Sequence, residues 1–292
     1  MQEVLTALTQ VGILAFVVAG MAAMGLALTV PGILAALRDT RLVVGVLLAN
    51  FVVVPLAAVA AARLLPMDDA SAAAVILVGC CAGAPFLPTL AALAKGNQET
   101  AVGVMVLLMV LTVGFAPIAV PLVLEGATVA PGDIASSLVV YMLVPLSLGL
   151  MVRARYSGLA ARVSGGFKAA STTGLIIAIV AGMLVTWRDV LGSVGSWLFA
   201  GTALVLVGGF VAGWLVGLGR GTSERTVLGL ATAQRNVSAA LVVAASLGPD
   251  AMVRTLVAAL FIPLALIVVA GEVGRRLDSS ATSDQPAEGT TA

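Results

Sequence analysis

The chain has no histidine, which removes histidine metal sites, histidine general bases and histidine pH switches from consideration. Charge is scarce: Asp, Glu, Lys and Arg make up 10% of the residues, against roughly 25% in a soluble domain. A net charge of +1 gives a nucleic acid nothing to hold. Cysteine is limited to the adjacent pair Cys80 and Cys81. Neighbouring cysteines seldom bridge each other, and both lie in an apolar run, so they read as small buried thiols. No nucleophile–base pair and no cluster of metal ligands is visible. The chain therefore offers no catalytic residue, no metal site and no cofactor site, and an enzyme is not expected. The opening "MQEVLTALTQ" carries an acid and no basic stretch. No cleaved leader is expected there, and the first apolar run is retained.

What the chain has is apolar residue: 61% of its 292 positions, with a mean hydropathy of +1.15. No soluble fold of this size hides that much apolar surface, so the fold class is an all-α polytopic membrane protein in a lipid bilayer. A span needs about 20 mostly apolar residues. Nine candidates follow, near 5–27, 42–64, 71–94, 100–124, 135–153, 169–187, 194–218, 226–247 and 250–271. They make residues 1–276 one transmembrane domain. The polar end "LDSSATSDQPAEGTTA" reads as a disordered tail over 277–292.

Basic residues collect in alternate loops: Arg38 and Arg41, then Lys95, then Arg153, Arg155, Arg162 and Lys168, then Arg220 and Arg225, and finally Arg275 and Arg276. The loop holding Glu125 and Asp133 has no base. The positive-inside rule puts the N-terminus outside and the C-terminus in the cytoplasm, which an odd number of spans requires. A bacterial inner (plasma) membrane is the expected location.

Two spans are interrupted. The third, "AAAVILVGCCAGAPFLPTLAALAKG", carries Gly79, Gly83, Pro85 and Pro88 at its centre. Two prolines three apart, beside glycine, break a helix rather than bend it. The eighth, "LGLATAQRNVSAALVVAASL", holds Gln234, Arg235 and Asn236 at mid-membrane depth. Irregular backbone there is tolerated only when buried in protein or lining a wet cavity. Span three is third of the first four, and span eight is third of the last four, which run the opposite way. Inverted repeats with a discontinuous helix in each half are the plan of secondary transporters, with the site where the breaks meet.

The run "MAAMGLAL" (21–28), the helix "LLANFVVVPLAA" (47–58), the segment "ILVGCCAGAPFLPTLAALAKGN" (76–97), "APIAVPLVLEG" (116–126) and "ATAQRNVSAALVVA" (231–244) resemble, in order, elements of the bile acid:sodium symporter family. The resemblance implies a core domain with two crossing broken helices, a panel domain that moves against it, and sodium and substrate near the crossing. It covers most of residues 15–271, with the family's first span absent. At the sodium positions the chain departs from the pattern. Aligned on Asn236, the family's glutamate becomes Ala231 and its glutamine becomes Arg235. Its Ser-Asn pair becomes Leu87 and Pro88, and its hydroxyl positions become Ala101 and Met105. Asn50 stands where the family has glutamine. The usual sodium ligands are thus missing, and only the Asn50 amide and backbone carbonyls remain to offer oxygen.

Arg235 has no carboxylate partner deep in any span, and an arginine does not shed its proton. Two readings stay open: a structural plug on helix-end carbonyls, whose dipole is negative, or a bidentate grip on an anionic substrate. Candidate substrate-binding residues are Arg235, Asn236, Gln234, Asn50, Thr89 and Ser238, with half-helix N-termini near Thr89 and Asn236 adding N–H donors. Gly83, Pro85 and Pro88 form the helix break. Thr112, Thr232 and Ser238 read as residues that satisfy their own helix carbonyls. The expected function is transport of a small organic anion by alternating access, with sodium coupling in doubt. The alternative is a non-transporting binding or sensory protein on a transporter scaffold. The oligomeric state stays open, a homodimer among the options.

Overall fold

The computed structural model describes residues 2–31, 38–124 and 139–283, with 132, 135 and 136 between the last two stretches. Eleven helices carry the described chain: α1 (Gln2–Ala27), α2 (Thr40–Leu64), α3 (Asp69–Cys80), α4 (Leu87–Leu93), α5 (Gln98–Val123), α6 (Val144–Arg155), α7 (Ser157–Gly192), α8 (Leu198–Val216), α9 (Thr222–Ala233), α10 (Val237–Leu247) and α11 (Pro249–Ser283). No strand occurs among the described residues.

Local chemistry sets the starts. Asp39 caps α2 through the Leu42 N–H at 3.1 Å, Asp68 caps α3 through Ser71 at 2.6 Å, and Asn97 caps α5 through Thr100 at 2.9 Å. Each side chain accepts from one of the orphan amides that open a helix. Within α2, residues Ala49–Val53 form a π-helical segment just before Pro55, and Asn50 sits inside it.

Among the described residues, seven helical segments are long and apolar enough to cross a membrane: Glu3–Ala27, Thr40–Leu64, Gln98–Val123, Ser157–Val185, Leu198–Val216, Thr222–Ala244 and Pro249–Leu277. Of the other two expected spans, 71–94 is divided into α3 and the short α4. The span expected at 135–153 falls partly outside the described residues; its described part is a π turn, Val139–Leu143, leading into α6. One boundary needs correction. The tail expected to be disordered from 277 begins as helix, because α11 runs on to Ser283; residues 284–292 lie outside the described set.

The helices pack as two groups. Helix α1 lies along α7 and α6. There Gly25 meets α6 so closely that a Cβ would overlap the Leu146 carbonyl oxygen. Without water to drive helix association, small residues that admit close backbones do that work. The second group surrounds the two interrupted segments, with α8 on α9, α2 on α3, and α11 on α3 and α10.

Candidate functional site

Both expected interruptions are present. Helix α3 ends at Cys80 and α4 begins at Leu87; helix α9 ends at Ala233 and α10 begins at Val237. The two breaks meet. The Asn236 backbone N–H donates to the Cys81 carbonyl at 2.8 Å, and its side-chain Nδ2 donates to the Gly83 carbonyl at 3.1 Å. Asn236 Oδ1 caps α10 by accepting from Ala239 at 3.1 Å. Asn236 thus satisfies backbone groups of both breaks at once.

Gly83 turns the first break in the left-handed region, at φ +76°, and lies so near α5 that a Cβ would overlap the Met109 backbone nitrogen. Only glycine meets both demands. Pro85 sits in the non-helical turn, whereas Pro88 belongs to the first turn of α4, where its missing N–H costs nothing. Pro88 therefore starts the second half rather than breaking the first.

Thr112 corrects an expectation. Its hydroxyl does not bond its own helix; it accepts from the Ala82 N–H at 3.1 Å and donates to the Ala82 carbonyl at 3.0 Å. Both backbone groups of a buried break residue depend on one hydroxyl from α5. Thr232 behaves as expected, donating to Leu228 at 3.0 Å.

Arg235 is fully buried between the breaks. Nε donates to the Val78 carbonyl at 3.1 Å and Nη2 to the Gly79 carbonyl at 2.6 Å, both in the last turn of α3. Nη1 donates to the Thr232 carbonyl at 3.2 Å, near the end of α9, and to Asn50 Oδ1 at 2.8 Å. The guanidinium therefore bridges two helix C-termini, whose dipoles both favour a cation. Four of its five N–H groups are engaged by these contacts. Asn50 in turn donates to Val46 at 3.0 Å and Thr232 Oγ1 at 3.2 Å, which fixes its amide with the oxygen toward Arg235.

The remaining candidates face open space. Gln234 is buried, and its Oε1 has no partner. With Ser238 it lines a small apolar cavity of about 70 Å³ between the two helix groups. A larger cavity of about 520 Å³ lies on the same interface, between α1 and α7 on one side and α4 and α5 on the other. Thr89 lines it; so do Gln98, Lys168, Ser171 and Thr172, which sequence reasoning had not selected. Among the described residues, Lys168 is the one charged residue of that wall. The two cavities share Phe16, Phe86 and Leu175, so these three side chains separate them. Arg235 lines neither.

These features define an integral membrane protein organised around two interrupted helices that meet. The family description of the Sodium Bile acid symporter family matches residues 14–193, well over half the chain. The chain belongs to that family, one of transporters and not of enzymes. The uncharacterized sodium-dependent transporter YocS of Bacillus subtilis (strain 168) is 30% identical over 183 residues, 61% of this chain and 55% of the relative. The chain thus spans about half the length of the curated relative it matches. The family match contains the first break and ends before Arg235.

Proposed function

We propose that the chain is a secondary transporter of a small organic anion, with Arg235 built in where relatives hold sodium. The observation that carries this is the guanidinium bonded to the Val78, Gly79 and Thr232 carbonyls and the Asn50 amide. Those oxygens converge as ligands for a cation do, and a covalently attached cation fills the position. In this reading Arg235 acts as the plug, and the anion binds elsewhere.

The anion's place is the cleft between α1, α6 and α7 and the remaining helices. Its larger cavity is lined by Lys168, Ser171, Thr172, Thr89 and Gln98 and, among the described residues, by no acidic one. An ammonium group with nearby hydroxyl and amide donors suits a carboxylate or sulfonate. Nine spans in inverted halves, the N-terminus outside and a bacterial plasma membrane complete the proposal. Alternating access then exchanges the larger cavity with the opposite side past Phe16, Phe86 and Leu175.

The test is uptake of a panel of small organic anions into proteoliposomes, under a sodium gradient and with sodium replaced by choline. Uptake that persists in choline supports the fixed-cation reading. Strict dependence on sodium would sink it, and no uptake of any anion would sink transport itself.

A further inference from the structure

Away from the crossing, Arg225 is held by an aromatic ring rather than by a carboxylate among the described residues. At the end of the bundle where α8 turns into α9, Arg220 donates to both Asp39 and Glu224. Both of these carboxylates are thereby taken. Arg225, one residue on, has no ion pair among the described residues, and its buried Nε–H has no acceptor. Basic residues outnumber acidic ones at this end: Arg38, Arg41, Lys95, Arg220 and Arg225 stand against Asp39, Glu99 and Glu224.

The Arg225 guanidinium lies over the Trp214 indole, 4.4 Å from the ring centroid. Trp214 is itself fixed: it stacks on Phe210 at 5.9 Å, and Phe210 rests against Gly229. The Arg225 stem packs on Gly217, the residue that ends α8. Beside them Leu215 and Leu218 are 53% and 61% exposed. A half-buried tryptophan, an arginine whose stem lies on the last apolar turn, and bare leucines mark the depth of lipid headgroups.

We propose that Arg225 and Trp214 form a binding site for the phosphate of an anionic glycerophospholipid, with an acyl chain along the Leu215 and Leu218 side of α8. The planar fork offers paired donors to phosphate oxygens. The stacked indole holds that fork in place, and the excess positive charge selects an anionic headgroup over a zwitterionic one. The site lies away from both cleft cavities, so it stands or falls separately from the transport reading.

The test uses the full chain with Trp187 and Trp197 replaced by Phe, which leaves Trp214 as the sole tryptophan. The protein is reconstituted in phosphatidylcholine vesicles doped with brominated phosphatidylglycerol or, at equal mole fraction, brominated phosphatidylcholine. Phosphatidylglycerol should half-quench Trp214 at a roughly fivefold lower mole fraction, and R225Q should bring the two lipids together. Equal quenching by both lipids, or a preference that survives R225Q, overturns the site. Should R225Q fail to fold, R225K decides: it keeps the charge without the planar stack, so the preference must shrink, and an undiminished preference overturns the site. R41Q, at the same end but off the indole, should shrink the preference less than R225Q does; a loss as large as that of R225Q would assign the preference to general surface charge and overturn the site. Excess inorganic phosphate should not displace the lipid; displacement would reassign the site to soluble phosphate and overturn the lipid claim.

Discussion

Asn50 Oδ1 accepts from Arg235 Nη1 at 2.8 Å, and it is the one side-chain acceptor bonded to that guanidinium among the described residues. Asn50→Leu removes this acceptor and the bonds to Val46 and Thr232 while roughly preserving volume. A buried charged donor left unpaired costs about 2–3 kcal/mol. Asn50→Leu should therefore lower the thermal midpoint clearly in detergent. No change in that midpoint would mean that the guanidinium repairs its bonding elsewhere.

Thr112→Val and Thr112→Ser separate shape from hydrogen bonding. Valine strips the partner from both the N–H and the C=O of Ala82, which is completely buried. The expected cost is about 2 kcal/mol or more, with serine restoring most of it. Amide exchange at residue 82 should speed up in the valine variant alone. Equal destabilisation by valine and serine would show packing, not bonding, at work.

Lys168→Gln tests where the anion sits. Lys168 is exposed on the cavity wall, so its loss should leave the fold intact. Apparent KM for a transported anion should rise roughly tenfold, the value of about 1.4 kcal/mol for one lost charged contact, with the maximal rate less affected. An unchanged KM would move the anion out of this cavity.

The helix breaks were legible because proline, glycine and a polar triplet interrupt apolar runs, and such interruptions act locally. Asn236 as the joint was legible as a residue type, through its small-residue surroundings. The partners of Arg235 were not, since Val78 and Gly79 contribute only backbone carbonyls, which every residue carries. Thr112 was misread for a related reason. A threonine in a membrane helix most often bonds its own helix, and only the approach of Ala82, 30 residues away in sequence, redirects the hydroxyl. Lys168 looked like one loop charge among several until α7 was seen to extend far beyond its apolar core, from Ser157 to Gly192.

Arg254 joins three elements. It donates to Asp68 at 3.3 Å and to Ser193, in the connector between α7 and α8. Burial pushes the Asp68 carboxyl up, but the Ser71 N–H and hydroxyl and the Arg254 guanidinium outweigh it and hold it below its ordinary value of 3.8. A carboxyl whose folded value is depressed stabilises the fold above its unfolded pKa, and that contribution fades as pH falls through the folded value. Proteolysis of the 193–197 connector should thus be constant between about pH 7 and pH 5 and rise only below about pH 4. Asp68→Asn should flatten the acid rise. A rise already complete at pH 5, or one untouched by Asp68→Asn, would assign the effect to another group.

Arg235→Ala poses the sharpest question about sodium. Removing the side chain leaves the Val78, Gly79 and Thr232 carbonyls and Asn50 Oδ1 facing an emptied buried site. Buried neutral acceptors left without a partner destabilise, by about 1–3 kcal/mol each. Hard monovalent cations bind oxygen donors, and a cation that binds only the folded state raises its stability by mass action. Sodium should therefore raise the thermal midpoint of the alanine variant relative to choline, by about 2–4 °C for each kcal/mol of binding. The parent protein should show no such sodium effect, because its cation is already in place. A parent midpoint that rises with sodium as steeply as the variant's would put a working sodium site elsewhere in the chain and remove the ground for calling Arg235 its replacement.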